Sequence, residues 1–381
     1  MSVNSASLCS QLDAPSLLPN VASPGRCTEL DLFTPTEEHG ALREMLAGFV
    51  KMKVDPQALE HDREEKFNIK LFRELGDLGL LGITAPKSTV VRRWMLAAVI
   101  AHEELSSSDP AFCLSFLAHS MLCQICGMAM SEPSVGTDVL GMRTTAKKSD
   151  CGKFYLLNGT KMWITNGALN DTELGDTFLV YARTGNSGKA KQDFSSFIVE
   201  KGFEGFSLGQ RIKDKCGMRA SNTAELVFEN CEVPVENIIG TEGSAVLCMM
   251  RNLEIERVTL AAMSLGIARR SLEVMSNYAK EREAFGRPLN NFGQIQKNIA
   301  ESKLKLDSVG NRVDTDGVKL YCGDMAKRVA DRAIQTLGGY GYVGEYNVER
   351  LWRDSKLLEI GGGTNESHHK NMVQDLVRNG L

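Results

Sequence analysis

The stretch FYLLNGTKMWITNG, residues 154–167, places apolar side chains at alternate positions, the period of a β-strand with one buried face. Asn158-Gly159 interrupts it with the dipeptide that most favours a type I′ turn, so the stretch is expected to form a hairpin. Similar short runs recur on its C-terminal side: TFLVYARTG (177–185), FSSFIVEK (194–201) and AELVFENCEV (224–233). The period-two region extends from 128 to 240 and predicts a β domain. On both sides the period becomes helical. ALREMLAGFVKM (41–52) and NIKLFRELGDLGLLG (68–82) repeat apolar residues at spacings of three and four, with Lys87 to Trp94 as an interruption. From Glu242 the pattern stays helical almost to the end, broken at Gly310–Asp316 and by glycine-rich stretches at 338–344 and 361–363. Helices, then strands, then helices predict an α+β protein: a leader at 1–28, an N-terminal helical domain at 29–127, a middle β domain at 128–240 and a C-terminal helical bundle at 241–381.

The chain has 381 residues, 43% of them hydrophobic and 24% charged, the balance of a globular protein with a large core. Its formal net charge of −4 supplies no global positive field for nucleic acid. The longest apolar run, WMLAAVIA (94–101), falls far short of the ~20 residues a membrane-spanning helix needs. Ten scattered cysteines read as reduced thiols. Cys123 and Cys126 form a CxxC with no second pair at zinc spacing, which reads as packing, so no metal site is expected. The first 28 residues carry only Asp13 and Arg26 as charges and resemble a targeting leader. No GxGxxG follows a strand and opens a helix, leaving a nicotinamide site without support.

In MMRNLEIERVTLAAM (249–263) one helical face carries Met249, Leu253, Glu256, Leu260 and Met263. Glu256 is a carboxylate on an apolar ridge, whereas Arg251, Glu254 and Arg257 fall on a polar side. Desolvation disfavours the ionised form and would poise Glu256 as a proton acceptor near neutral pH. The plainer alternative is that Glu256 meets a buried Arg or Lys from another element. Glu254 and Arg257, three apart, would then be an ordinary surface pair.

MAMSEPSVGTD (128–138), KMWITNG (161–167), GMRASNTAELVFENCEVP (217–234), EREAFGRPL (281–289), QTLGGYGY (335–342) and RDSKLLEIGGGT (353–364) together resemble the acyl-CoA dehydrogenase family in order and spacing. The resemblance covers residue 30 to the C-terminus. It implies a β domain holding FAD between two helical domains, a flavin accepting hydride from the substrate β-carbon, and a glutamate removing the α-proton. Carried over by motif, Met130, Ser131, Gly136 and Thr137 contact the flavin, and Thr137 also the substrate. Trp163, Ile164 and Thr165 lie along the flavin's reactive edge. Arg282 meets the pyrophosphate of a neighbouring subunit's FAD, where Arg suits phosphate through its paired donors. Gln335, Gly338 and Gly339 resemble adenine-side contacts, and Thr364 and Glu366 further cofactor contacts.

Many members carry the base in a C-terminal Glu-Gly-Thr loop, where this chain reads Gly362-Gly363-Thr364. The isovaleryl type carries it on a helix in a motif like LDLER, matched here by LEIER with Glu256 as the base. Gly362 and Gly363 then leave room for a branched acyl chain, an amide near Gly362 stabilises charge on the thioester oxygen, and Glu254 and Arg257 resemble contacts to the CoA portion. The resemblance further implies isovaleryl-CoA oxidation in leucine catabolism, an electron-transferring flavoprotein as acceptor, a homotetramer and the mitochondrial matrix. Three segments are shorter than the family's pattern: between Cys126 and the SEP loop, after Lys87, and around Val309–Asp316. Gly293 stands where the isovaleryl type has a glutamine near FAD. Alternatives therefore stay open: another short- or medium-chain acyl-CoA dehydrogenase, an acyl-CoA oxidase, or a catalytically impaired flavin-binding paralogue or truncated product.

Overall fold

The computed structural model describes residues 36–83, 91–123, 127–185, 187, 192–307 and 315–379. The leader, Cys126 and the shortened segments at 84–90 and 308–314 lie outside them. Helices α1 (Glu37–Phe49), α2 (Asp55–Glu64), α3 (Ile69–Asp77), α4 (Val91–Ser106) and α5 (Pro110–Leu117) precede the sheet. Their starts follow local chemistry. Thr36 caps α1 by accepting from the His39 amide, Asn68 caps α3 by accepting from the Leu71 amide at 2.9 Å, and Asp109 caps α5 through the Phe112 amide, with Pro110 in the first turn. The expected interruption at Lys87–Trp94 ends earlier than expected, because Val91 already opens α4.

Seven strands form one sheet: β1 (Gly127–Ala129), β2 (Thr145–Lys148), β3 (Phe154–Thr165), β4 (Thr177–Arg183), β5 (Phe194–Glu200), β6 (Phe206–Arg211) and β7 (Thr223–Pro234). They follow the order β1-β4-β2-β3-β7-β6, with β5 on β4. The inward residues Tyr155, Leu157, Phe178, Val180, Phe197, Leu226 and Phe228 form its core.

The hairpin expected at Asn158-Gly159 does not form. β3 runs through both residues, and its antiparallel neighbour β2 is reached instead through a turn in which the Gly152 amide donates to Ser149 O at 2.9 Å. A type I′ turn needs positive φ at both central residues, yet only Gly159 has it (146°). The glycine serves a bulge: a Cβ there would lie 2.6 Å from Thr144 Oγ1. Asn158 pairs across the sheet with Asn230, accepting from its amide at 2.8 Å.

After the sheet come α6 (Ala245–Glu281), the two-residue strands β8 (Glu283–Ala284) and β9 (Arg287–Pro288), then α7 (Gly293–Asp307), α8 (Thr315–Leu337), α9 (Gly339–Tyr342), α10 (Val348–Ser355) and α11 (Asn365–Asn379). At 37 residues, α6 is about 56 Å long and runs through the whole assembly of helices. Its Leu260, Met263 and Ile267 join the N-terminal helical core, its Met249 packs under the sheet, and its Ala261 and Ala268 meet α8. The helix that carries Glu256 is thus fixed by all three layers. Among the described residues no helix is long and apolar enough to cross a membrane.

Candidate active site

The expected stripe on α6 is present: Met249, Leu260 and Met263 are buried and Leu253 is partly so, with Arg251 and Glu254 exposed. Glu256 keeps partial contact with solvent, but protein surrounds its carboxylate so closely that burial pushes its pKa up to about 7 against the nearby charges of Arg257 and Lys319. The alternative of a buried ion pair is not realised. Among the described residues the Glu256 carboxylate has no hydrogen-bond or ion-pair partner. Nor do Glu254 and Arg257 pair with each other: Arg257 Nη1 donates to Asp316 Oδ2 at 3.1 Å and its Nε to Gly362 O at 3.4 Å.

The turn Gly361–Gly363 faces this carboxylate. Gly362 has φ +65°, and a Cβ there would lie 3.6 Å from Glu256 Cδ and 2.5 Å from Leu260 Cδ1. Only glycine fits between Leu260 and Glu256 at this φ without strain. The Gly362 and Gly363 amides have no acceptor among the described residues, so both can donate to a ligand oxygen beside Glu256. Lys319, on α8, donates to Gly363 O at 2.7 Å; its burial lowers its pKa to about 8. Thr364 caps the start of α11 through the Ser367 amide, and Glu366 is exposed beside it.

The SEP loop and the WITNG strand meet at the sheet edge, where the Met162 amide donates to Ser131 O at 2.9 Å. Ser131 and Met130 are partly buried, whereas Gly136 and Thr137 are exposed. Trp163 is 61% exposed and has φ +66°, at a bulge that turns its ring out of the strand. Thr165 is partly buried; the Ile164 side chain belongs to the β core, so Ile164 can meet a ligand only through its backbone.

Behind this loop lies a group that the motifs did not single out. Lys161, fully buried, donates to Glu132 Oε1 at 3.0 Å and Met130 O at 3.1 Å. Burial pushes the Glu132 carboxyl up, but the Lys161 charge and donors from Thr144 and Arg143 outweigh it and hold the pKa below its ordinary value. Lys161 shares strand parity with the buried Tyr155 and Leu157, a signal that was available in the sequence.

Arg282, Gln335, Gly338 and Gly339 lie elsewhere. Arg282 ends α6, 26 residues beyond Glu256 and so about 39 Å away along the helix axis. With Tyr278, Leu289, Thr336, Gly338 and Tyr340 it lines a groove of about 550 Å³. Gln335 is exposed at its edge. The structure therefore brings Glu256, Arg257, Gly362 and Gly363 together, and Met130, Ser131 and Trp163 together. It sets the Arg282 group far from Glu256.

Residues 36–132 match the family "Acyl-CoA dehydrogenase, N-terminal domain", 127–231 its middle domain, and 246–313 and 307–377 its C-terminal domain. A mitochondrial isovaleryl-CoA dehydrogenase of Oryza sativa subsp. japonica is 38% identical over 91% of this chain and 92% of its own length. A mitochondrial 2-methylacyl-CoA dehydrogenase of Solanum tuberosum is 37% identical over 85% of this chain and 87% of its own. Among solved structures, butyryl-CoA dehydrogenase from Megasphaera elsdenii superposes with TM-score 0.84 at 31% identity, covering 90% of this chain and 99% of that one. The chain belongs to the acyl-CoA dehydrogenase family, flavoprotein oxidoreductases acting on acyl-CoA, and has its fold of N-terminal helices, middle β domain and C-terminal helices.

The residues present fit FAD in two places. In the distal groove Thr336 Oγ1 is buried without a partner, and Cβ atoms on Gly338 or Gly339 would touch nothing, leaving bare backbone and an unspent hydroxyl beside the Arg282 cation. At the sheet edge the outturned Trp163 ring offers a flat apolar surface next to the SEP loop.

Proposed function

We propose that the protein oxidises a short branched acyl-CoA, converting isovaleryl-CoA to 3-methylcrotonyl-CoA, with Glu256 as the base that removes the α-proton. The observation that carries this reading is the unpaired Glu256 carboxylate, with a pKa of about 7, facing the side-chain-free turn at Gly362. At neutral pH a sizeable fraction is ionised and able to accept a proton, and the group is basic enough to hold it. The Gly362 and Gly363 amides are suited to donate to the thioester oxygen as the proton leaves. The missing side chain at 362 keeps the turn clear of the Glu256 carboxylate, which suits a branched acyl chain beside the base. FAD, when bound, supplies the acceptor for the β-hydride, held by Met130, Ser131, Gly136, Thr137 and the Trp163–Thr165 strand. Thr364 and Glu366 extend its contacts. Glu254, exposed two residues before the base, is available to the CoA portion, whereas Arg257 is already engaged with Asp316.

The 39 Å between Glu256 and the Arg282 groove exceeds what one dinucleotide bridges, which supports Arg282, Gln335, Gly338 and Gly339 receiving a neighbouring subunit's FAD in a homotetramer. Phe285 (95% exposed) and Tyr342 (84%) give that groove an apolar rim for a second copy to cover. An electron-transferring flavoprotein as acceptor, the mitochondrial matrix as compartment, and the domain limits 29–127, 128–240 and 241–381 complete the reading.

The test is anaerobic titration of the holoenzyme with isovaleryl-, 2-methylbutyryl-, butyryl- and octanoyl-CoA, following flavin absorbance. Isovaleryl-CoA should bleach it fastest, and Glu256→Gln should slow bleaching by about 10²- to 10⁴-fold. Equal bleaching in the variant would remove Glu256 as the base, and faster bleaching by another acyl chain would reassign the substrate.

A further inference from the structure

Arg257 follows Glu256 directly on α6, and its cation is near enough to pull on that carboxylate's proton equilibrium. A free guanidinium beside an unpaired buried carboxylate should close on it, because both groups are costly to bury alone. Here it does not. Its Nη1 donates to Asp316 Oδ2 at 3.1 Å, with both side chains largely buried, at 14% and 12% exposed. Asp316, at the start of α8, is itself fixed from α11. His368 Nδ1 donates to its Oδ1 and Asn371 Nδ2 donates to the same oxygen at 3.2 Å, while Oδ2 accepts from the arginine.

The carboxylate accepts only, so the His368 proton sits on Nδ1 and Nε2 is an acceptor. Nε2 is buried with no partner, packed against the Gly363 turn, where a Cβ on Gly363 would lie 3.3 Å from it. His368 is thus spent entirely on orienting Asp316. The remaining charge facing Glu256 is Lys319 on α8, whose ammonium is tied to Gly363 O at 2.7 Å and feels Glu359. The turn residues Gly361–Gly363 add no charge.

Resting on the assignment of Glu256 as base, we infer that Asp316, locked by His368 and Asn371, is a positioning residue that holds the Arg257 guanidinium away from Glu256 and so keeps the base unpaired and reactive. Asp316 acts through Arg257, with which it shares its ion pair. Without its negative charge Arg257 is released towards the neighbouring Glu256 carboxylate, and a base engaged in an ion pair is a weaker base.

The experiment compares the parent holoenzyme with Asp316→Asn, Arg257→Gln, the Asp316→Asn/Arg257→Gln pair and Glu256→Gln. Two readouts are followed against pH: the rate of anaerobic flavin reduction by isovaleryl-CoA, and the infrared carboxylic-acid stretch of Glu256 in the oxidised enzyme without substrate, identified by its absence from Glu256→Gln. Asp316→Asn should lower the midpoint of both by about one to three pH units, the shift that a close cation gives a carboxylate. The double variant should abolish that shift, because the cation responsible is gone. If Asp316→Asn does not hold its FAD, Asp316→Ser makes the same charge change with a smaller group. An unmoved midpoint in the single variant, or a lowered one that persists in the double variant, overturns the inference while leaving the base assignment standing. Flavin reduction by Glu256→Gln at the parent rate overturns the base assignment itself, and this inference with it.

Discussion

Replacing Glu256 by Gln should make the protein more stable at pH 8 than the parent and leave the two nearly equal near pH 4.5. The folded-state pKa of about 7 stands above the ordinary 4.5, so in the folded chain the carboxyl holds its proton through a window in which the unfolded chain has lost it. Between these values the folded state binds more protons, and stability contributed by the protonated group is lost as pH rises through 7. The gap is about 2.5 units, each worth ~1.36 kcal/mol, which sets an upper bound of roughly 3 kcal/mol on the cost of ionising Glu256 in place. Partial solvent contact reduces it. Gln has nearly the same shape and no charge at any pH, so its chain is spared that cost. Urea denaturation of both holoproteins at pH 5, 6, 7 and 8, with FAD saturating and equal, reads the difference, since titrating groups that do not feel Glu256 cancel; Lys319, whose charge Glu256 favours, enters only as pH approaches 8. A stability difference that is flat across the window, or that grows on acidification, would refute the reasoning and with it the unpaired, desolvated state of this carboxylate.

Gly362→Ala should cost about 1 to 2 kcal/mol for a side chain at positive φ, seen in urea midpoints, and should slow flavin reduction by isovaleryl-CoA more than by butyryl-CoA, because the new methyl occupies the space over Glu256. Lys161→Met should lose about 3 to 5 kcal/mol by stranding the Glu132 carboxylate, and the loosened SEP loop should release FAD faster in dialysis, read as lost yellow absorbance. Phe285→Asp combined with Tyr342→Asp should shift the elution volume towards smaller species; an unchanged volume would mean that the apolar rim is not an interface.

What could be read in the sequence was what depends on local periodicity. NIKLFRELGDLGLLG supplied its own N-cap in Asn68 and its own stripe in Leu71, Leu75 and Leu80, all buried. The face carrying Glu256 could be read by the same rule. Asn158-Gly159 misled because its turn chemistry was real but tertiary contacts decided: the glycine was needed for the approach of Thr144, and Asn158 for its amide pairing with Asn230. Asp316 and Lys319 could have been suspected by the criterion that exposed Glu256. They precede Cys322, Ala326 and Val329 at spacings of three and four on a buried face of α8. Their partners could not, since His368 and Arg257 lie 52 and 59 residues from Asp316, and Gly363 lies 44 residues from Lys319.

The chain contains its own control for the electrostatic argument. Glu132 and Glu256 are both carboxylates enclosed by protein next to a lysine, yet their proton affinities move in opposite directions. Glu132 accepts from Arg143 N, Thr144 N, Thr144 Oγ1 and Lys161 Nζ, which satisfies the ionised form and makes it a fixed strut beneath the SEP loop. Around Glu256 the corresponding cations exist, but each is committed elsewhere: Arg257 to Asp316 and Gly362 O, Lys319 to Gly363 O. Enclosure by protein therefore yields a structural anion where donors converge and a proton acceptor where they are held apart. The difference between the two glutamates lies in the direction in which neighbouring cations point, and for Glu256 that direction is set by Asp316 and by the carbonyls of the glycine turn.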